Sequence, residues 1–465
     1  MERGVNSGRR RRDRGIALIV VLFLSAVLTL LMYSFLQEMQ VEYSLATSCG
    51  REAQARQIAW SAVEKAIAVL AADKTSVAGP SSPWFDKPDE WYEIELGDGV
   101  FSAIRMSADN EGKLRYGIVD EASKLNLNFA PRSALMKLPK MTDEIADSIL
   151  DWRDADDTPL ANGAENAYYQ ALPQPYKCKN APFETVEELL LVRGVTPEIL
   201  YGEDWNQNGI LDANENDGDK SPPTDNADGV LDLGLIAYLT VHSSDRNIRN
   251  DGTARINVNT ATPEQIQQGL ELSAQELQRV MAARTAFGQN GFPTVAHLMP
   301  SIPVEKWKQI VDRVTVSAAP TLPGLVNVNT APKKILEMLP SLTADDVSKL
   351  ASHRTQEGAD LSTLGWLADL LPPEKLQAVA GFVTTRAFQY RLDIVARIGP
   401  KSERAATATS VKTLDPAAPP PPVRVIRRLA VVIDRSGPAP RVIYSRDISR
   451  LGQPYPIEEP AENSR

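Results

Sequence analysis

Cysteine and histidine are scarce in this 465-residue chain, which carries two of the first and three of the second. A disulfide-framed scaffold needs far denser cysteine, and the pairing of Cys49 with Cys178 stays open. A zinc site needs ligands at characteristic spacings, which the scattered His242, His297 and His353 do not offer. Positive charge is outweighed as well, at a net −10, so no long-range pull on nucleic acid is expected. A glycine-rich phosphate loop and a nucleophile elbow are both missing, and scattered Ser, His and Asp form no triad, so no enzyme is expected. What remains is an ordinary hydrophobic fraction of 43% on a chain long enough for about three units.

The most conspicuous feature present is the apolar run from Ile16 through Leu36, broken only by Ser25, Thr29, Tyr33 and Ser34. At ~20 residues and ~1.5 Å rise per residue it spans a hydrocarbon core of ~30 Å. Arg3, Arg9, Arg10, Arg11, Arg12 and Arg14 precede it, whereas Glu38 and Glu42 follow. That bias keeps the N-terminus cytoplasmic and exports everything after residue 37. A cleaved secretory signal should have a shorter core and a small-residue cleavage site, and neither holds. Ala59, Ala62, Val63, Ala66, Ile67 and Leu70 continue at helical spacing, so one helix over residues 16–72 is expected.

A short basic leader ending in glycine before such a run resembles a type IV prepilin leader. The resemblance implies a membrane peptidase that cuts after Gly15 and leaves Ile16 as the mature N-terminus. Such pilins mostly carry glutamate at the fifth mature position, where this chain has Val20. A carboxylate in lipid is costly and needs a partner. Its loss suggests a subunit that does not insert beneath another, as at a filament tip.

After a break at Gly79-Pro80-Ser81-Ser82-Pro83, strand-like runs cover Trp91–Leu96, Val100–Met106 and Leu114–Val119, with Gly97-Asp98-Gly99 and Asn110-Glu111-Gly112 as turns. Residues 85–120 thus begin an antiparallel sheet. Residues 124 to about 385 turn helical and hold an internal repeat. Leu125-Asn126-Leu127-Asn128-Phe129-Ala130-Pro131, Ile256-Asn257-Val258-Asn259-Thr260-Ala261 and Val326-Asn327-Val328-Asn329-Thr330-Ala331-Pro332 are copies of one phrase. Arg153, Arg284 and Arg354 follow the second asparagine at one distance in each copy, and third phrases begin at Phe183, Phe292 and Leu361. Repeats are expected over 124–202, 256–318 and 326–380. Asn or Thr before Ala-Pro is read as a helix cap, and the arginines as bonding back to loop carbonyls. The units resemble helix-hairpin-helix or SAM-like modules, but Pro139-Lys140-Met141-Thr142, Leu272-Ser273-Ala274 and Pro340-Ser341-Leu342-Thr343 lack the Gly-x-Gly hairpin of DNA-binding versions.

The acidic segment 203–235 carries the most specific chemistry. Asp204 through Glu215 fits the twelve-residue EF-hand calcium loop. Asp204, Asn206 and Asn208 would supply side-chain oxygens, Gly209 the bend and Ile210 a carbonyl. Asp212 would act directly or through water, and Glu215 would close the site. Asp217, Asp219, Asp225, Asp228 and Asp232 follow, with only Lys220 to offset them, and could form a second, weaker site. A structural ion between two repeats is expected.

Phe388, Tyr390, Leu392, Ile394, Ala396 and Ile398 alternate with mostly polar residues, the period of a half-buried strand. Thr407–Pro422 reads as a proline-rich loop, Val423–Ile433 and Arg441–Tyr444 as a hairpin, and 452–465 as a frayed tail. Strands over 385–447 should close the sheet begun at 85–120. The fold class is α+β: a pilin-like long N-terminal helix plus antiparallel sheet, with a large all-α insertion of SAM-like or helix-hairpin-helix repeats. Together the Gly15 leader, Val20, the Asn-x-Asn-x-Ala-Pro phrase with Trp152-Arg153, and the insertion resemble the minor pseudopilin K family of type II secretion. The resemblance implies a pseudopilus-tip subunit that joins minor pseudopilins I and J, helps initiate assembly and aids export of folded proteins. It also implies contact with the major pseudopilin, the inner-membrane assembly platform, the prepilin peptidase and secreted cargo, and calcium in the helical domain. A third repeat departs from the two that the family usually shows. Alternatives are a membrane-anchored DNA-uptake protein of the competence type and a minor type IV pilin.

Overall fold

The computed structural model describes residues 9–106, 108–109, 114–398, 425–452 and 454. The start of the leader, the Asn110-Glu111-Gly112 turn, the 407–422 loop and nearly all of the tail lie outside the described residues.

One α-helix runs from Arg9 to Ala72, about 96 Å at the usual rise. Its outer part, from Leu18 past Leu45, exposes Leu22, Phe23, Leu30, Met32 and Phe35 by more than half their surface. It is one helix long and apolar enough to cross a membrane, with a mean hydropathy of 2.5 over a fully exposed window. Beyond it the small residues Ala55, Ala59, Ala62 and Ala66 recur every three to four positions and are fully buried. Short side chains let the helix axis approach the sheet, so that Val63 and Leu70 pack on Leu392, Ile394 and Val431. Each such aliphatic burial contributes ~1.5–3 kcal/mol.

That sheet is antiparallel, in the order Ile94–Leu96, Gly99–Arg105, Gln389–Ile398, Ile426–Asp434, Arg441–Asp447. Strands from before and after the helical region therefore sit side by side, with Ile394 opposite both Ala103 and Leu429. Three details differ from the sequence reading. Trp91 ends a helical turn, Pro88–Trp91, rather than opening a strand, because Pro88 sets the first position of that turn and the indole is drawn into the core. The expected strand 114–119 is split at Gly117, whose φ of +154° puts a would-be Cβ 2.6 Å from the Phe85 carbonyl oxygen. The polar face of Gln389–Ile398 is also buried, because Arg397 pairs with the fully buried Glu93 at 2.8 Å.

Between the two halves of the sheet lie three helical units of one plan. Each is opened and closed by a two-residue parallel pairing: Leu125–Asn126 with Leu239–Thr240, Ile256–Asn257 with Val314–Thr315, and Val326–Asn327 with Val383–Thr384. The first pairing puts the acidic segment inside the first unit, not between two repeats as the spacing suggests. In each unit two helices meet at a turn with a left-handed residue two positions before the cap: Lys140 before Thr142, Glu271 before Ser273, Ser341 before Thr343. Each cap hydroxyl accepts an amide of the first turn.

The repeated phrases are bonded to one another. The first asparagine of each copy accepts the amide of the second, at 3.0 Å in all three. Asn128 then brackets Phe183, accepting its N–H at 2.7 Å and donating to its carbonyl at 2.9 Å, and Asn259 does the same to Phe292. Asn329 donates to the Leu361 carbonyl at 3.0 Å. The second asparagine is thus a clasp on the third phrase and not the helix cap that its position suggests; after the second copy Thr262 makes the cap. The arginines fold back as expected: Arg284 donates to the Val258 and Ala261 carbonyls at 3.2 and 2.9 Å, and Arg153 and Arg354 bond the equivalent pairs.

Candidate calcium loop and acidic cluster

Asp204 through Glu215 forms a tight loop knit by its own side chains. Gln207 and Gly209 both take positive φ, +53° and +73°, the second at the position where glycine is cheapest. Buried Asp204 accepts the amides of Asn208 and Gly209, each at 2.9 Å. Asn206 and Asn208 both donate to one oxygen of Asp212, at 2.7 and 2.9 Å. Glu215 reaches back to the amides of Trp205 and Asp212 at 3.0 and 3.1 Å. Ile210 follows the bend, its amide held by the Asn208 side chain at 2.7 Å. Burial pushes the Asp204 carboxyl up to about 6 and the Glu215 carboxyl up to about 7, against the amides that favour their ionised forms.

The donor set fits a hard cation. Asp204, Asn206, Asn208, Asp212 and Glu215 place the donor types that calcium takes on one short loop with a bend at the sixth position, while the carboxylate oxygens of Asp204, Asp212 and Glu215 do not all lie within 4.8 Å of one another. Asn206 Oδ1, the third-position oxygen, is buried without a hydrogen-bond partner. A buried acceptor left in that state costs ~1–3 kcal/mol unless something positive meets it.

The five downstream carboxylates are placed differently. Asp225 accepts the amides of Asp217 and Gly218, at 3.0 and 2.9 Å, and Asp217 accepts the Ser221 hydroxyl at 2.6 Å. Asp228 closes its own turn on the Val230 amide at 2.8 Å, and Asp232 faces Lys140 at 3.8 Å. Among the described residues no three of Asp217, Asp219, Asp225, Asp228 and Asp232 bring carboxylate oxygens within 4.8 Å of one another.

A group that does so was missed in the sequence. Asp151, Asp154 and Glu165 hold carboxylate oxygens within 4.8 Å of one another inside the first unit. Asp151 and Glu165 are buried, and neither oxygen of Glu165 has a hydrogen-bond partner among the described residues beyond the weak dipole of the Cys178 thiol. Burial pushes Asp151 up to about 6 and Glu165 to about 7. Gly163 permits the cluster, since a Cβ there would lie 1.8 Å from Asp151 Oδ2. The spacing Asp-x-x-Asp followed by Gly-x-Glu was the available signal. Both cysteines are free, Cys49 exposed and Cys178 buried. Gly15 and Ile16 fall in the first turns of the long helix, and their side chains lie outside the described residues.

A long, half-exposed apolar helix seated on an antiparallel sheet, with a helical region inserted in that sheet, defines an α+β protein whose N-terminal helix is long and apolar enough to cross a membrane. Residues 123–201, the first part of the first helical unit, match the family model for type II secretion system protein K, and the chain resembles that family. It is 27% identical over 201 residues to type II secretion system protein K of Pectobacterium carotovorum subsp. carotovorum, and 28% identical over 204 residues to that of Aeromonas hydrophila. Each alignment covers 41% of this chain and 61% of the relative, so the chain spans about three fifths of the length of the curated relatives it matches. A putative protein K of Escherichia coli K12 is 40% identical over 58 residues, which is 12% of this chain and 18% of that one. A solved structure, the GspK-GspI-GspJ complex from enterotoxigenic Escherichia coli, aligns with 88% of this chain and 98% of that one at 14% identity and a TM-score of 0.35.

Proposed function

We propose that this chain is a minor pseudopilin of type II secretion, set at the tip of the pseudopilus, where it starts assembly with minor pseudopilins I and J and aids export of folded proteins. The observation that carries this reading is the division of labour along the helix Arg9–Ala72. Its first half has no protein partner for its leucines and phenylalanines, and its second half is an alanine seam on a sheet. Such a helix lies in lipid before assembly and among neighbouring helices after it. Within this reading the prepilin peptidase cuts between Gly15 and Ile16 in the inner membrane, and the bulk of the chain lies in the periplasm. Val20 offers no charge to a subunit above it, which suits the tip.

The helical units belong to the helix-hairpin-helix or SAM-like type in this reading, used as packing modules rather than for nucleic acid, and the protein is not an enzyme. Calcium is the structural cofactor. The Asp204–Glu215 loop would hold one ion through Asp204, Asn206, Asn208, the Ile210 carbonyl, Asp212 and Glu215. The Asp151–Asp154–Glu165 cluster would hold another, its unpartnered Glu165 being the supporting feature. Each ion would offset converging negative charge and fix a loop that has no regular secondary structure. The deciding experiment is co-purification of the full chain from membranes with tagged minor pseudopilins I and J. A stable ternary complex and a mature N-terminus at Ile16 are expected; failure of both leaves only the anchored fold.

A further inference from the structure

We infer that the cleft between the sheet and the third helical unit is a binding site for an oxyanion, of the carboxylate or sulfate type, gripped by Arg105 with Lys333. The cleft has a volume of ≈ 400 Å³ and is walled by Phe85, Arg105 and Arg115 on the sheet side and by Lys333, Ser352 and Arg354 on the other. It gathers four cations on a chain whose net charge is −10. Among the described residues two carboxylates stand against them: Asp86, which pairs with Arg115 at 3.1 Å, and Asp109 on the wall.

Arg105 is the residue that asks for a ligand. It ends the second sheet strand, and its guanidinium carbon lies over the Phe85 ring, 3.6 Å from the centroid. The ring covers the guanidinium but offers no acceptor lone pair to its N–H donors. No hydrogen bond or ion pair engages Arg105 among the described residues, and its Nε is buried without a partner. The other arginines are satisfied in different ways, Arg115 by Asp86 and Arg354 by the carbonyls of Val328 and Ala331. Burial, aided by the repulsion of Arg115 and Arg354, holds the Arg105 guanidinium down to about 10. A desolvated cation without an acceptor is costly, and a planar fork of donors at the wall of an open cleft is the usual recogniser of carboxylate and sulfate-like oxygens. Exposed Lys333 opens the helix across the cleft and adds a second point charge.

The test uses the full chain in detergent micelles with calcium retained, titrated calorimetrically with sodium sulfate and with the peptide acetyl-Glu-Glu-amide, each against chloride at equal ionic strength. Saturable binding of either probe, weakened at least tenfold in Arg105→Met, is expected. Binding of sulfate alone marks a free anion as the ligand, and binding of the peptide alone marks an acidic polypeptide segment. Arg105→Met should melt no lower than the parent in anion-free buffer, because the variant removes an unmet charge while keeping the contact with Phe85. Absence of saturation with both probes overturns the site, as does equal affinity in Arg105→Met. Should that variant not fold, exposed Lys333→Gln decides: weakening of a few-fold supports the site, and unchanged affinity sinks it.

Discussion

Removing calcium from the full chain in detergent should lower its unfolding temperature, and the size of the effect follows from the loop. A weak extracellular-type site has a Kd of ~10⁻⁴–10⁻³ M. At about 1 mM free calcium, binding to the folded state alone then stabilises by roughly 0.4–1.4 kcal/mol. The choice of variant matters because the ligand carboxylates also hold the loop's own amides. Glu215→Ala would strand the N–H groups of Trp205 and Asp212, now bonded at 3.0 and 3.1 Å, at ~1–3 kcal/mol each. That loss has nothing to do with an ion. Glu215→Gln keeps one acceptor and removes the charge, so its difference between calcium and chelator isolates the metal. The assay is differential scanning calorimetry with and without excess chelator, on parent, Glu215→Gln and Glu165→Gln. Each variant should shrink the difference, and the pair together should abolish it. An unfolding temperature of the parent that chelator leaves unchanged would refute both sites.

Arg284→Met removes two bonds to the Val258 and Ala261 carbonyls while keeping the aliphatic stem. A loss of ~1–3 kcal/mol in a chemical denaturation curve is expected, with the second unit's hydrogen exchange rising more than that of the sheet. Asp120 sets a pH dependence. It is buried between the Thr330 hydroxyl at 2.6 Å, the Asn327 amide at 2.8 Å and the Ala122 N–H, and burial pushes its carboxyl up to about 7. The folded state then holds a proton that the unfolded chain releases near pH 4, so this group's contribution falls as pH rises from about 4 to about 7 and is flat above that. The decline is on the order of a few kcal/mol at most, and comparing Asp120→Asn with the parent across that range should show the slope reduced in the variant.

The repeat was legible because each of its phrases makes a bond that only its residue types can make. An asparagine side chain can accept one amide and donate to one carbonyl of the same residue, as Asn128 does with Phe183 and Asn259 with Phe292. One guanidinium can reach two carbonyls three residues apart, as Arg284 does through its Nη1. The long helix was legible for the same kind of reason, its alanine seam being a periodicity that survives without any partner in view. Where these units end was not legible. Leu239–Thr240 carries no phrase, and a two-residue parallel pairing with Leu125–Asn126 is fixed by distant backbone groups, so the acidic segment seemed to lie between units when it lies within one.

The acidic clusters show where sequence spacing stops being informative. Asp204 through Glu215 stood out because every expected ligand position sits in one short loop; in the structure its end carboxylates hold that loop's own amides, Asp204 those of Asn208 and Gly209 and Glu215 those of Trp205 and Asp212. Asp217 through Asp232 have comparable charge and a partial echo of the same pattern, yet Asp217, Asp225 and Asp228 are spent on their own turns, as with Asp225 on the amides of Asp217 and Gly218, and Asp232 faces Lys140. Asp151, Asp154 and Glu165 are the reverse case. Their convergence depends on a loop that folds back until Leu160 donates to Asp151 and Gly163 lies against it. Count and spacing of carboxylates cannot rank these three segments; what ranks them is whether backbone amides have already claimed the oxygens. By that measure the two unclaimed oxygens of Glu165 favour the Asp151–Asp154–Glu165 group over the Asp204–Glu215 loop, where amides hold both oxygens of Asp204 and of Glu215 and the Asn206 Oδ1 is left over.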